Sequence, residues 1–292
     1  MFEGPRVLDA RSALCGVNVQ RVDVALRWLA AVPEMLAGME RVTSLKVSWN
    51  PIVRSWEQLR SLPQLRELDL GGCGLTEVPA ALASLESMTR LDLSLNGFKS
   101  GWERLHPPRQ RELDLSYCKL TEVPEALIGM MESMTSLQLS GNHFEQLRSL
   151  KGMECMTSLD ISGNHFEHGW EQLRSLPQLQ VLDLSKCHLT ELPEVLTSME
   201  SMKRLCISYN SIMRGWERLH PLRQLQELNL WCCNLTELPE ALAGMESMTS
   251  LNLGYKPYRA RLGVAAAAAP AGEAGPPDIQ PHGGACGTGA NG

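Results

Sequence analysis

No stretch of this 292-residue chain approaches the run of about 18 apolar residues that a membrane helix requires, although 43% of its residues are hydrophobic. No membrane contact is expected. The opening residues, Met-Phe-Glu-Gly-Pro-Arg-Val-Leu-Asp, lack the basic-then-apolar order of a secretory leader. Positive charge is also in deficit. The net charge is −6, with no basic stripe able to neutralise a row of phosphates, which argues against nucleic acid as a partner. Equally missing are a phosphate loop of the form GxxxxGK(S/T), an HExxH, a GxSxG and paired CxxC motifs. An enzyme is therefore not expected, and neither is a cofactor.

A disulfide framework is the fourth absence. The nine cysteines are odd in number, and Cys73, Cys118, Cys187 and Cys233 occupy one slot of an internal repeat where other units carry Asn50, Asn96, Asn142, Asn164 and Asn210. Residues locked to a repeat in this way are packing residues. Cys15 and Cys286 stand alone near the two ends, unlike the clustered, bonded cysteines that close secreted repeat proteins. A reducing, cytoplasmic setting is the expectation, and Asn234-Leu235-Thr236 reads as a chance sequon within the repeat.

What is present is one phrase stated eleven times, L-x-x-L-x-L-x-x-(N or C)-x-(L, F or I), beginning at Val19, Val42, Leu65, Met88, Gln110, Met134, Met156, Leu179, Met202, Leu225 and Met248. Successive steps are 22 to 24 residues. A period of that length implies a stacked solenoid in which each unit buries its apolar face only against its neighbours. The expected fold is α/β: a curved leucine-rich repeat solenoid, with a concave parallel β-sheet and short helical or 3-10 returns on the convex side. Residues 1–18 read as an irregular segment or partial cap, 19–258 as the repeat domain, and 259–292, rich in Ala, Gly and Pro, as a disordered tail.

Two kinds of unit alternate. One pairs the Cys slot with Leu-Thr-Glu-(Val or Leu)-Pro, as in Leu189 to Pro193; the other follows Asn with (Gly or Ser)-Trp-Glu-x-Leu, as in Gly169 to Leu173. Pro and Trp fall at the same repeat position, and proline there suits the first turn of a short helix. The alternation breaks where Asn142-His143-Phe144 is followed directly by Asn164-His165-Phe166, so packing is expected to be least regular there. An inward Asn amide at the strand exit is expected to satisfy backbone groups of adjacent turns, with Cys a weaker substitute.

Leu68-Asp69-Leu70, Leu182-Asp183-Leu184-Ser185 and Leu189-Thr190-Glu191-Leu192-Pro193-Glu194 resemble the intracellular leucine-rich repeat proteins of the Ras-suppressor and Scribble-like type. The resemblance implies a solenoid whose concave sheet binds another protein.

Residues that alternate with the buried leucines form outward columns across that sheet. The central column includes Asp69, Asp92, Asp114, Asp160 and Asp183, with Glu67 and Glu112 beside it. Like charges so close together favour a basic protein partner, though Asp is also ordinary for the slot and keeps a sheet soluble. Trp49, Leu95, Tyr117, Tyr209, Trp231 and Tyr255 are expected along one edge of the face as contact anchors. Trp56, Trp102, Trp170 and Trp216 recur in phase with leucines and read as core. His143, His165 and His168 are the best candidate ligands for a metal, but copying of one unit explains them, and no metal is expected. The expected function is a protein-binding scaffold or adaptor, monomeric by default; the alternative is a ligand-sensing fragment of a larger innate-immune or signalling receptor.

Overall fold

The computed structural model describes residues 18–105, 110–128, 131–147, 150, 152–235 and 237–254. The N-terminal segment, Cys15, Tyr255, the Ala265 to Ala269 run and Cys286 lie outside them.

Each leucine phrase folds as a three-residue strand beginning two residues after its first apolar position: β1 (Arg21–Asp23), β2 (Ser44–Lys46), β3 (Glu67–Asp69), β4 (Arg90–Asp92), β5 (Glu112–Asp114), β6 (Ser136–Gln138), β7 (Ser158–Asp160), β8 (Val181–Asp183), β9 (Arg204–Cys206), β10 (Glu227–Asn229) and β11 (Ser250–Asn252). They form one parallel sheet in chain order. The register never slips, including across the break in alternation, where Asp114 pairs with Gln138 and Gln138 with Asp160. The centre of each strand points inward. Leu68, Leu91, Leu113, Leu137, Leu159, Leu182, Leu205 and Leu228 are all essentially inaccessible, and burying a side chain of that size stabilises the fold by about 2 kcal/mol. The two terminal strands are the exceptions: Val22 is half-buried, and Leu251 is 39% exposed because no twelfth rung covers it among the described residues. Residues that alternate with these leucines stand on the opposite face of the sheet, the concave side of a curved ladder of this kind. No helix among the described residues is long and apolar enough to cross a membrane.

The returns are mostly 3-10 turns, and their two chemistries solve the same geometric problem differently. The sequence places proline inside the first helical turn; in the structure Pro79, Pro193 and Pro239 sit one residue earlier, as extended N-caps. Their fixed φ suits that position, and their carbonyls accept from Leu82, Leu196 and Leu242. In the other kind of unit the residue before Trp turns left-handed instead: Ser55, Gly101, Gly169 and Gly215 have φ of 65, 89, 96 and 85°. A Cβ on Gly101 would stand 2.9 Å from the backbone nitrogen of Val78. Gly101→Ala is therefore expected to cost about 2 kcal/mol, combining the unfavourable φ with a clash against main chain, as measured by urea denaturation. The tryptophans that follow are half-buried at the margin of the core, with Trp102 and Trp170 packed 5.0 and 5.2 Å from Phe98 and Phe166.

The Asn slot closes the backbone account between turns. Asn210 accepts from the amides of Cys187 and Leu189 in the preceding unit, and its amide group donates to the carbonyls of Leu184, Ile207 and Ser208. Asn50 and Asn142 do the same in their turns, and Asn96 accepts from Leu75 while donating to Leu70, Leu93 and Ser94. The cysteines of the intervening units only donate, weakly, from Sγ: Cys118 to Leu93 at 3.3 Å and Cys187 to Ile161 at 3.5 Å. Burial pushes the thiols of Cys118 and Cys233 up to about 11 and that of Cys187 to about 12, so they stay protonated and unreactive near neutral pH.

Candidate functional site

With leucines turned inward, the flanking residues of each strand line the concave face in columns. The central column is continuous by register: Asp69, Asp92, Asp114, Gln138, Asp160, Asp183, Cys206, Asn229 and Asn252 stand on successive rungs. The structure thus brings together the five aspartates picked out in the sequence.

It also gives them a structural task that the sequence reading missed. One oxygen of each carboxylate accepts a hydrogen bond from the backbone amide two residues on: Asp69 from Gly71 at 3.0 Å, Asp92 from Ser94, Asp114 from Ser116 and Asp183 from Ser185 at 2.8 Å, and Asp160 from Ser162 at 2.9 Å. Asn229 and Asn252 make the same bond to Trp231 and Gly254. The column is an array of Asx turns that end the strands. The interchange of Asp with Asn at this slot was the available signal. Burial of these carboxylates pushes Asp92 and Asp183 above the usual range and Asp114 and Asp160 up to about 6; neighbouring aspartates add to the rise for Asp92, Asp114 and Asp160.

Glu67 and Glu112 stand beside the column, at the start of β3 and β5. They flank the same face, but Arg90 stands on the rung between them and binds Glu112 at 2.7 Å. The charge of Glu112 is thereby matched within the chain. The acidic strip is the aspartate column itself, and its C-terminal rungs are uncharged. There the sheet floor forms a hollow of about 410 Å³ whose lining includes Asp160, Val181, Asp183, Arg204, Cys206 and Asn229.

The aromatic edge is partly as expected. Trp49, Leu95, Tyr117 and Tyr209 are exposed, at 43 to 55%, and all occupy one slot, three residues beyond the central column. Trp231 does not share it. It sits one residue earlier, in the place of Ser116 and Ser208, half-buried and edge-on to Tyr209 with centroids 4.7 Å apart. Of the histidines, His165 lies 5.0 Å from His188, ring to ring, and His168 shares a hydrogen bond of 3.0 Å with Gln146. No group of three or more potential metal ligands occurs among the described residues.

A family model described as "Leucine rich repeat" matches residues 108–166, and a second of the same description matches 64–85, 178–199 and 224–245. The fold is a leucine-rich repeat solenoid. The solenoid is similar in fold to an internalin from Listeria monocytogenes strain 4b F2365, at 18% identity over 77% of this chain and 65% of the internalin, with a TM-score of 0.61. It is also similar to TLR13 from a complex with ssRNA13, at 22% identity over 77% of this chain and 38% of TLR13, with a TM-score of 0.56. The chain thus spans less than two thirds of the length of both structures. No curated protein matches it in sequence.

Proposed function

We propose that this leucine-rich repeat domain is a non-enzymatic, cytoplasmic interaction module of the Ras-suppressor and Scribble-like type, and that it holds a protein with a basic surface against its concave sheet. The observation that carries the reading is the unbroken in-register column Asp69, Asp92, Asp114 with exposed Trp49 and Tyr117 at its edge. Carboxylates on adjacent rungs repel one another and are relieved by a cationic partner, and aromatic rings bury large contact area at small conformational cost. The cytoplasmic setting is supported by Cys73, Cys118, Cys187 and Cys233, which are buried in the repeat core as thiols rather than joined in disulfides. Nucleic acid is disfavoured as a partner by the net charge of −6 and the carboxylates on the face.

The test is to change Asp69, Asp92 and Asp114 together to Lys and compare proteins crosslinked to the face with those of the unaltered chain. Loss of the crosslinked partner, with no gain of single-stranded RNA in parallel titrations of the unaltered chain, is the expected result. An unchanged set of partners removes the concave column from the binding site.

A further inference from the structure

Among the described residues the slot that carries the exposed rings is left-handed throughout, with φ of 58° at Trp49, 58° at Leu95, 56° at Tyr117 and 55° at Tyr209. An L-residue held at such a φ is strained where glycine is not. Gly72, Gly141 and Gly163 occupy the same slot on other rungs, so the fold itself does not call for a side chain there. The rings nevertheless stand at this cost, and the neighbouring glycines seat them. A Cβ on Gly72 would meet the Trp49 ring at 3.0 Å, and the Tyr117 ring lies so close over Gly141 that no Cβ fits. Each ring thus rests against the next rung while Trp49 and Tyr117 remain 53 and 55% exposed. Further along the row, the ammonium of Lys186 sits 5.0 Å above the Tyr209 ring, showing that the row accepts a cation over an aromatic face.

We infer that the rings of Trp49 and Tyr117 and the carboxylates of Asp69, Asp92 and Asp114 form one composite site for an extended, arginine-bearing segment of a protein partner. The inference rests on the concave-face reading above and narrows it to a chemistry. A guanidinium stacks on an aromatic face while bonding a carboxylate, which an ammonium does less well. The seat is the N-terminal half, because the C-terminal rungs place Cys206, Asn229 and Asn252 in the column and Lys186 already covers Tyr209. Of the cations near this half, Arg90 is held by Glu112, and Lys46 marks the end of the acidic strip on β2. Spacing sets the ligand's backbone. Asp69 and Asp114 stand two rungs apart, about 9.6 Å, with the Trp49 ring leaning over Gly72 beside the first and Tyr117 following the second. Three residues of polyproline II span about 9.3 Å, so arginines three residues apart meet these two carboxylates.

The probe is a fluorescent (Arg-Pro-Pro)4 peptide, with (Lys-Pro-Pro)4 and (Gln-Pro-Pro)4 as comparisons, titrated into the full chain by anisotropy. Binding in the order Arg, Lys, Gln is expected, weakening as salt rises. The double variant Trp49→Gly, Tyr117→Gly is expected to bind the Arg peptide about tenfold more weakly while keeping its fold by circular dichroism, since glycine already fills this left-handed slot at positions 72, 141 and 163; misfolding then cannot account for the loss. Equal binding of the Arg and Gln peptides, or undiminished binding by the Gly variant, overturns the inference. If the Gly variant binds normally while Asp→Lys changes still abolish partner crosslinking, the concave-face reading survives and the stacking site alone fails.

Discussion

Asn210→Ala is expected to lower stability by about 3–5 kcal/mol, whereas Cys187→Ala, in the corresponding slot of the preceding unit, should cost about 1 kcal/mol. The asymmetry follows from what each side chain satisfies. Removing the Asn210 amide leaves the backbone amides of Cys187 and Leu189 and the carbonyl of Leu184 without that partner in a dry interior, and an unmet buried donor or acceptor costs about 1–3 kcal/mol. Cys187 contributes only weak Sγ donation to the carbonyls of Ile161 and Ser185, so its loss is mainly a small cavity. Urea denaturation measures both. Hydrogen exchange adds a local readout, because the amides of Cys187 and Leu189 should lose protection in the Asn variant alone. Equal costs for the two variants would show that the Asn ladder is not what joins the turns.

The second large effect is one of pH. Asp114 and Asp160 are pushed from the ordinary 3.8 to about 6, first by burial and then by the neighbouring carboxylates, Asp92 and Asp160 acting on Asp114 and Asp183 on Asp160. Between those limits the folded chain holds protons that the unfolded chain has already released, so folding is favoured as pH falls through this window. Above about pH 6 both forms are ionised and the full penalty is present. Stability against urea should therefore rise between pH 7.5 and pH 5. Asp114→Asn combined with Asp160→Asn should raise stability at pH 7.5 by on the order of 1–2 kcal/mol per site after allowance for partial exposure, and should flatten the pH dependence. Asn is the apt replacement because Asn229 and Asn252 already make the same Asx-turn bond in this column. A pH profile unaffected by the two changes would mean that the column is well solvated.

These two expectations also mark the tension in the face. The carboxylates are tied to the strand exits, and their crowding costs stability that a cationic partner would return. A surface arranged in this way is poised for a basic occupant, and the exposed rings beside it supply the contact area.

The eleven phrases, their alternation and the inward leucines were legible in the sequence because a parallel ladder has a fixed side-chain period: once Leu68 faces the core, Asp69 must face out, and a repeat of 23 residues must bring Asp92 beside it. The roles of Asn and Cys followed from their donor and acceptor inventories alone. Other features depended on φ and on distance, which no period encodes. Proline's move to the N-cap, the left-handed slot shared by Trp49 and Gly72, and the step of Trp231 out of the aromatic row are backbone choices made turn by turn. The matching of Arg90 to Glu112, and the burial that drives Asp114 and Asp160 upward, arise only when rungs lie side by side and exclude water from one another. Sequence alone therefore determined which residues share a face, because that follows from periodicity; tertiary structure decided which of them remain available to a partner, because availability depends on neighbours contributed by other turns.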